Sequence, residues 1–245
     1  MWGIIPAAGR GSRIQPLAFS KELLPVGSRR EGELERPRAV SEYLLDRMIA
    51  AGATRICMVI SPGKSDILQY YGAGVGQASI AYVVQQSPSG LCDAIFHALP
   101  LIPPDEHVVV GLPDTIWFPE HGLRALDESD LSFLLFPVQH PERFDAVVTD
   151  DKGRVLEIRV KAKAPQGGPR EAWIWGAFKM RGSVMRALFE LWCERERRDE
   201  YIGTLVNAWL ARGGSARAER AGEAYVDVGT VNGYREAIAL LGSVP

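Results

Sequence analysis

The sequence predicts an α/β fold, a mostly parallel sheet with helices on both faces, and three observations carry that expectation. Short apolar runs alternate with helix-period segments through the first half of the chain. The first run passes directly into a glycine-rich segment, Gly9-Arg10-Gly11, as a strand feeding a binding loop does. The second half turns strand-rich before closing on helices, which makes the sheet mixed.

Taken in order, strands are expected at Trp2–Pro6, Arg55–Ile60, Ile80–Val84 and Val108–Leu112. Helices are expected at Val40–Ala51, where Gly52 stops the pattern, between Lys64 and Tyr71, and at Gly90–Leu99. Parallel crossovers place a binding crevice beyond the carboxyl ends of such strands. Further strands are expected at Leu131–Val138, Ala146–Thr149, Val155–Val160 and Trp173–Met180, with Asp150-Asp151-Lys152-Gly153 as a hairpin turn. Helices at Val184–Arg195 and Ile202–Ala211, a strand near Ala224–Val228 and a closing helix at Tyr234–Leu241 complete the chain. Gly27–Pro37 is polar and mixed in charge, and reads as a mobile loop.

Composition narrows the function. With 245 residues, 47% hydrophobic and 24% charged, the chain suits a globular protein with a sizeable core. A net charge of −2 gives no general affinity for nucleic acid or anionic membranes, so any bound anion needs a few placed groups. No apolar run approaches membrane-spanning length, and the three cysteines, Cys57, Cys92 and Cys193, form no pairing pattern. A reduced, cytoplasmic setting is the expectation.

The chemistry-bearing residues begin at the first loop. Ala7-Ala8-Gly9-Arg10-Gly11-Ser12-Arg13 places small side chains where backbone N–H groups can approach phosphate oxygens, then adds a forked permanent cation in Arg13. By itself Gly9-x-Gly11 also reads as a tight surface turn. The dinucleotide fingerprint fails, because Gln15-Pro16 interrupts the place of its third glycine, and the Walker pattern fails because its Gly-Lys-Ser/Thr does not close the loop, the lysine lying eight residues beyond Arg13. The chain continues instead into Lys21-Glu22-Leu23-Leu24-Pro25-Val26, whose lysine can fold back over the same phosphates.

At this combination the chain resembles the sugar-phosphate nucleotidyltransferases, the family of glucose-1-phosphate thymidylyl- and uridylyltransferases. That family opens with a strand, a Gly-x-Gly-Thr/Ser-Arg loop and Lys-x-x-Leu-Pro-Val; here the Arg13-to-Lys21 spacing is two residues shorter than its usual one. The resemblance implies a Rossmann-like three-layer sandwich of the nucleotide-diphospho-sugar transferase type. It implies one domain over residues 1–245, with a nucleotide-binding part to about 115 and an acceptor part beyond. Ala8, Gly9, Gly11 and Ser12 would then hold the nucleotide, with Arg13 and Lys21 as the catalytic cations. Gln85-Gln86-Ser87-Pro88-Ser89-Gly90 resembles the base-recognition segment, with Gln86 as the contacting amide and Gly90 as the close backbone approach. The same residues also read as a strand end, a proline turn and a helix start. Asp114, ending Val108–Pro113, and Asp227, in Asp227-Val228-Gly229-Thr230, match the family's metal-binding aspartates, and Mg²⁺ takes few carboxylates plus phosphate oxygens.

The acceptor elements depart from the family's pattern. Phe144-Asp145-Ala146 stands where Tyr-Gly-Val is usual, and Val160-Lys161-Ala162 where Glu-Lys-Pro is usual. Lys161 is the expected grip on the acceptor phosphate, with Lys163 if the register slips, and Asp145 and Gly176 complete that subsite. The implied reaction joins dTTP or UTP to a sugar-1-phosphate with Mg²⁺, in a monomer or homodimer. The changes at Asp145 and Val160 leave two alternatives open: a nucleotide-sugar-binding or regulatory domain without catalysis, and a CTP-dependent or other transferase for a non-glucose acceptor.

Overall fold

The computed structural model describes residues 1–160 and 172–242. Its first half contains β1 (Trp2–Pro6), β2 (Pro25–Glu31), β3 (Leu34–Ala39), α1 (Val40–Ala50), β4 (Arg55–Ile60), α2 (Ser65–Tyr71), β5 (Gly74–Val75), β6 (Ala78–Val84), α3 (Leu91–His97), β7 (His107–Gly111) and β8 (Thr115–Phe118). The rest contains β9 (Leu131–Val138), β10 (Ala146–Thr149), β11 (Val155–Arg159), β12 (Ala172–Arg181), α4 (Gly182–Glu194), α5 (Ile202–Leu210), β13 (Arg217–Glu219), β14 (Ala224–Asp227) and α6 (Val231–Gly242).

Strands β7, β1, β4 and β6 lie side by side and parallel, and β7, β1 and β4 are the buried centre of the sheet. Strand β12 pairs antiparallel with β7 and carries β9 and β10 with it, so one mixed sheet runs through both halves of the chain. The strand alternation of side chains divides the core between its two faces. Ile4, Cys57, Val108 and Val110 pack with Phe96 of α3, Leu188 and Trp192 of α4 and Leu205 of α5. Ile5, Ile56, Met58 and Val109 pack with Leu44, Leu45 and Met48 of α1 and Ile67 of α2. This is the three-layer α/β sandwich that the sequence predicts.

Besides the short strands β5 and β13, which are not expected from the sequence, two features differ from expectation. Gly27–Pro37 is not a loop: β2 and β3 form an antiparallel hairpin, with Glu31 opposite Leu34 and Arg29 opposite Arg36. Nearly all its side chains are exposed, so no apolar alternation marks it in the sequence. Strand β8, unforeseen, pairs antiparallel with β14 and sets Asp227 opposite Thr115. That pairing brings the C-terminal part of the chain to the end of β7.

Candidate functional site

The carboxyl ends of β1, β4, β6 and β7 lie along one edge of the sheet, and the segments leaving them supply the site. After β1, Ala7 and Ala8 are buried while Gly9 is exposed. Ile14 and Gln15 then donate their N–H groups to the Gly11 carbonyl, closing a turn that returns the chain toward Lys21. Gly11 adopts φ +64°, and a Cβ there would lie 2.8 Å from Lys21 Cδ. Glycine at this position therefore serves both the left-handed backbone and the seat of the lysine stem.

Lys21 Nζ donates to Asp114 Oδ2, and Arg13 Nη1 lies 3.1 Å from Asp227 Oδ2. Gly229 joins the two pairs. A Cβ on it would fall 2.8 Å from Asp227 Oδ1, 3.0 Å from Asp114 Oδ2 and 3.0 Å from Arg13 Nη2. The β8–β14 pairing explains the convergence, helped by the Val228 N–H, which donates to the Asp114 carbonyl at 2.8 Å. Burial opposes charge on Lys21, yet Asp114, Glu22 and Asp227 outweigh it and raise its pKa. Burial likewise opposes ionisation of Asp114, and Lys21 outweighs it, holding that carboxyl below the ordinary range. Both shifts describe an ionised pair at pH 7.

Lys21 is braced on either side. The Ser20 N–H and hydroxyl donate to Asp66 Oδ2 and Oδ1, each at 2.6 Å. Glu22, 2% exposed, accepts from Lys64 Nζ at 2.7 and 2.8 Å, and the same ammonium reaches the Ala7 carbonyl at 2.6 Å. Sequence reasoning missed Lys64, Asp66 and Gly229 as site residues. The available signal was position: Ser61-Pro62-Gly63-Lys64 leaves β4 as Ala7–Gly11 leaves β1.

The base-recognition segment comes after β6. Gln85 is buried and its amide donates to Asp93 Oδ2 at 2.5 Å, whereas Gln86 is exposed. Gly90, at φ +98°, is approached by chain rather than by open space, since a Cβ would meet Glu200 Cα at 2.9 Å. The Glu200 carbonyl accepts from the Leu91 and Cys92 N–H groups at 2.9 and 3.3 Å, occupying the amino end of α3.

A cleft of about 700 Å³ opens beside Arg13 and Asp227, lined also by His140, Arg143, Phe144 and Tyr225. Tyr225 meets Phe144 edge-on with ring centroids 5.6 Å apart. A Cβ on Gly176 would lie 2.9 Å from the Tyr225 ring, so the glycine leaves room for that aromatic wall. Asp145 is buried nearby: burial, then Asp227, Asp114 and Asp145, keep the Tyr225 hydroxyl protonated well above the ordinary phenol range, a bond with Thr115 opposing them. Trp175 belongs to the core, and Trp173 carries the Arg220 guanidinium over its ring at 5.4 Å. Lys161 and Lys163 lie outside the described residues.

Two carboxylates at one small opening, with hard oxygen donors, suit Mg²⁺. Gly229 is the cradle, for any side chain there would fill the space the carboxylates share. The adjoining cations suit a polyphosphate.

The family described as nucleotidyl transferase matches residues 2–243 of the chain. Glucose-1-phosphate thymidylyltransferase of Mycolicibacterium smegmatis is 28% identical over 248 residues, covering 97% of this chain and 81% of that one. UTP–glucose-1-phosphate uridylyltransferase of Haloferax volcanii is 27% identical over 172 residues, 67% of each chain. Among solved structures, the UTP-bound UGPase from Acinetobacter baumannii superposes with a TM-score of 0.79 at 18% identity, over 98% of this chain and 93% of that one. At that identity the likeness is one of fold.

Proposed function

The chain belongs to the nucleotidyl transferase family, and from that premise we propose that it joins a pyrimidine nucleoside triphosphate, dTTP or UTP, to a sugar-1-phosphate. The observation that carries the reading is the meeting of Lys21 with Asp114 and of Arg13 with Asp227 around Gly229. A mere binder of nucleotide sugar has little need for two cations and two carboxylates at one point.

In this reaction an oxygen of the acceptor phosphate attacks the α-phosphorus, a new P–O bond forms, and the bond to pyrophosphate breaks. The nucleophile is already anionic, so no side chain has to take a proton or form a covalent intermediate. The protein's task is positioning and charge neutralisation. Ala8, Gly9, Gly11 and Ser12 present backbone to the triphosphate. Arg13 and Lys21 stabilise it and the departing pyrophosphate, while Gln86 reads the base; Gly90, expected to let the base approach, instead makes room for the backbone of Glu200. Asp114 and Asp227 would hold Mg²⁺, which when bound would neutralise phosphate charge. Lys161, Asp145 and Gly176 serve the acceptor, whose phosphate Lys161 grips.

Pyrophosphate release with each of dTTP, UTP and CTP, crossed with several sugar-1-phosphates in Mg²⁺, tests this reading. Release with dTTP or UTP is the expected result. Nucleotide-sugar binding without any release would replace the enzyme with a binding domain, and release with CTP alone would overturn the assignment of base.

A further inference from the structure

Two lysines and one buried carboxylate stand together at the turn after the first loop, and the proposed transfer uses only one of the three. Glu22 is 2% exposed and Lys64 9% exposed. Lys64 fills its donors with both Glu22 oxygens and the Ala7 carbonyl, all within 2.8 Å. It thereby fastens the end of β1 to the turn carrying Lys21. A buried ion pair stabilises a fold poorly, because the desolvation of two charges offsets their attraction. Such a pair beside a catalytic cation invites another explanation.

The Glu22 carboxylate also pulls on the Lys21 ammonium, second only to Asp114 among the charges that raise its pKa. Lys64 in turn is the strongest partner of Glu22. Glu22 is therefore contested by two ammonium groups, and Lys64 holds it. We propose that Lys64 is a positioning residue for the nucleotidyl transfer: by neutralising Glu22 it keeps Lys21 directed at Asp114 and the polyphosphate site. Without Lys64, a buried unpaired carboxylate captures Lys21, which precedes it in the same turn and is the other cation acting on it. The inference rests on the assignment of Lys21 in the proposed function.

The consequence is an asymmetry that a merely structural pair does not have. Breaking a structural pair from either side leaves one buried charge and costs alike. Here Lys64→Met leaves a carboxylate that diverts Lys21, whereas Glu22→Gln leaves an ammonium that repels it toward its proper partners. Lys64→Met is expected to lower kcat on the order of 100-fold with the acceptor KM unchanged, and Glu22→Gln to cost about tenfold less. The neutral pair Glu22→Gln/Lys64→Met removes the competition and is expected to recover kcat to within about threefold of wild type.

A second measurement decides the matter without turnover. Diversion of Lys21 frees Asp114, so Lys64→Met should bind Mn²⁺ more tightly than wild type by calorimetry with no nucleotide present, while the double variant does not. Circular dichroism confirms folding of each variant. Equal losses in the two single variants, or unchanged Mn²⁺ affinity in Lys64→Met, would overturn the inference. An inactive wild type would instead overturn the proposed function, and the Mn²⁺ comparison would still judge Lys64.

Discussion

Each cation expected to hold the triphosphate is paired with a carboxylate expected to hold the metal: Lys21 with Asp114, Arg13 with Asp227. On the proposed function the side chains would exchange partners when substrate arrives, lysine and arginine turning to phosphate as the carboxylates turn to Mg²⁺. Lys21→Ala is therefore expected to have two opposite effects. Turnover should fall at least about 10²-fold, as on losing other electrostatic stabilisers of a transition state. Affinity for Mn²⁺ in the absence of nucleotide should rise about tenfold or more, since Asp114 no longer has to release a charge-assisted hydrogen bond. Steady-state pyrophosphate release and Mn²⁺ calorimetry check the two, and a fall in both quantities would contradict the exchange. The residues of these two pairs could be named from the sequence: Gly9–Arg13 and Lys21 lie in one short stretch, and Asp114 and Asp227 match the resembling family's aspartates. Lys64 and Gly229 were not. Lys64 reaches the site through Glu22, which sits 42 residues before it, and through the Ala7 carbonyl, and Gly229 matters for the side chain it lacks.

At the scale of elements, the parallel centre of the sheet was readable because its strands are buried on both faces and stand as apolar runs. The β2–β3 hairpin was not, since its strands are largely exposed and rich in charge, and its pairing depends on backbone bonds that leave no pattern of side chains. Strand β8 was hidden for another reason: its partner β14 lies more than 100 residues along the chain. The junction between β6 and α3 shows how a segment can be identified correctly while its packing stays unseen. Gly90 is needed for φ +98° and for the backbone of Glu200, which fills the space a Cβ would occupy. Gly90→Ala should destabilise the fold by about 1–3 kcal/mol, the usual cost of a strained backbone position. For a chain of this size that is a loss of about 2–10 °C in Tm. Thermal unfolding followed by circular dichroism reads it directly. An unchanged Tm would mean that α3 and the Glu200 turn yield to the added methyl without cost.

Across the whole molecule, the α4–α5 connection is tied to the crevice edge through Asp199 and Glu200. Arg195 donates to both oxygens of Asp199 at 2.7 and 2.9 Å, Trp192 Nε1 donates to the Asp199 carbonyl at 3.0 Å, and the next carbonyl caps α3. The hydrogen bonds from Arg195 hold the Asp199 carboxyl below its ordinary value of 3.8, against some loss of solvation. At the other side of the site, burial raises the pKa of Asp66 but the donors of Ser20 outweigh it, again leaving it below 3.8. In the unfolded chain both groups take up protons near the ordinary value, so on acidification the unfolded state binds protons first. Their contribution to stability is thus complete above that value and is lost as pH falls through the depressed ones. Glu22 behaves in the opposite sense. Burial raises its pKa despite Lys64, so its ionisation disfavours the fold as pH rises, and protonation relieves that cost. The two aspartates' contribution is level from about pH 7 to 5, where both remain ionised in both states, and is lost below about pH 4. Asp199→Asn should lower Tm at neutral pH, because Arg195 loses its charged partner, and should flatten the acid limb. The difference in Tm between wild type and variant therefore narrows as pH drops below the ordinary aspartate value. Curves that run parallel from neutral pH into that limb would show that the Arg195–Asp199 pair does not link protonation to the fold.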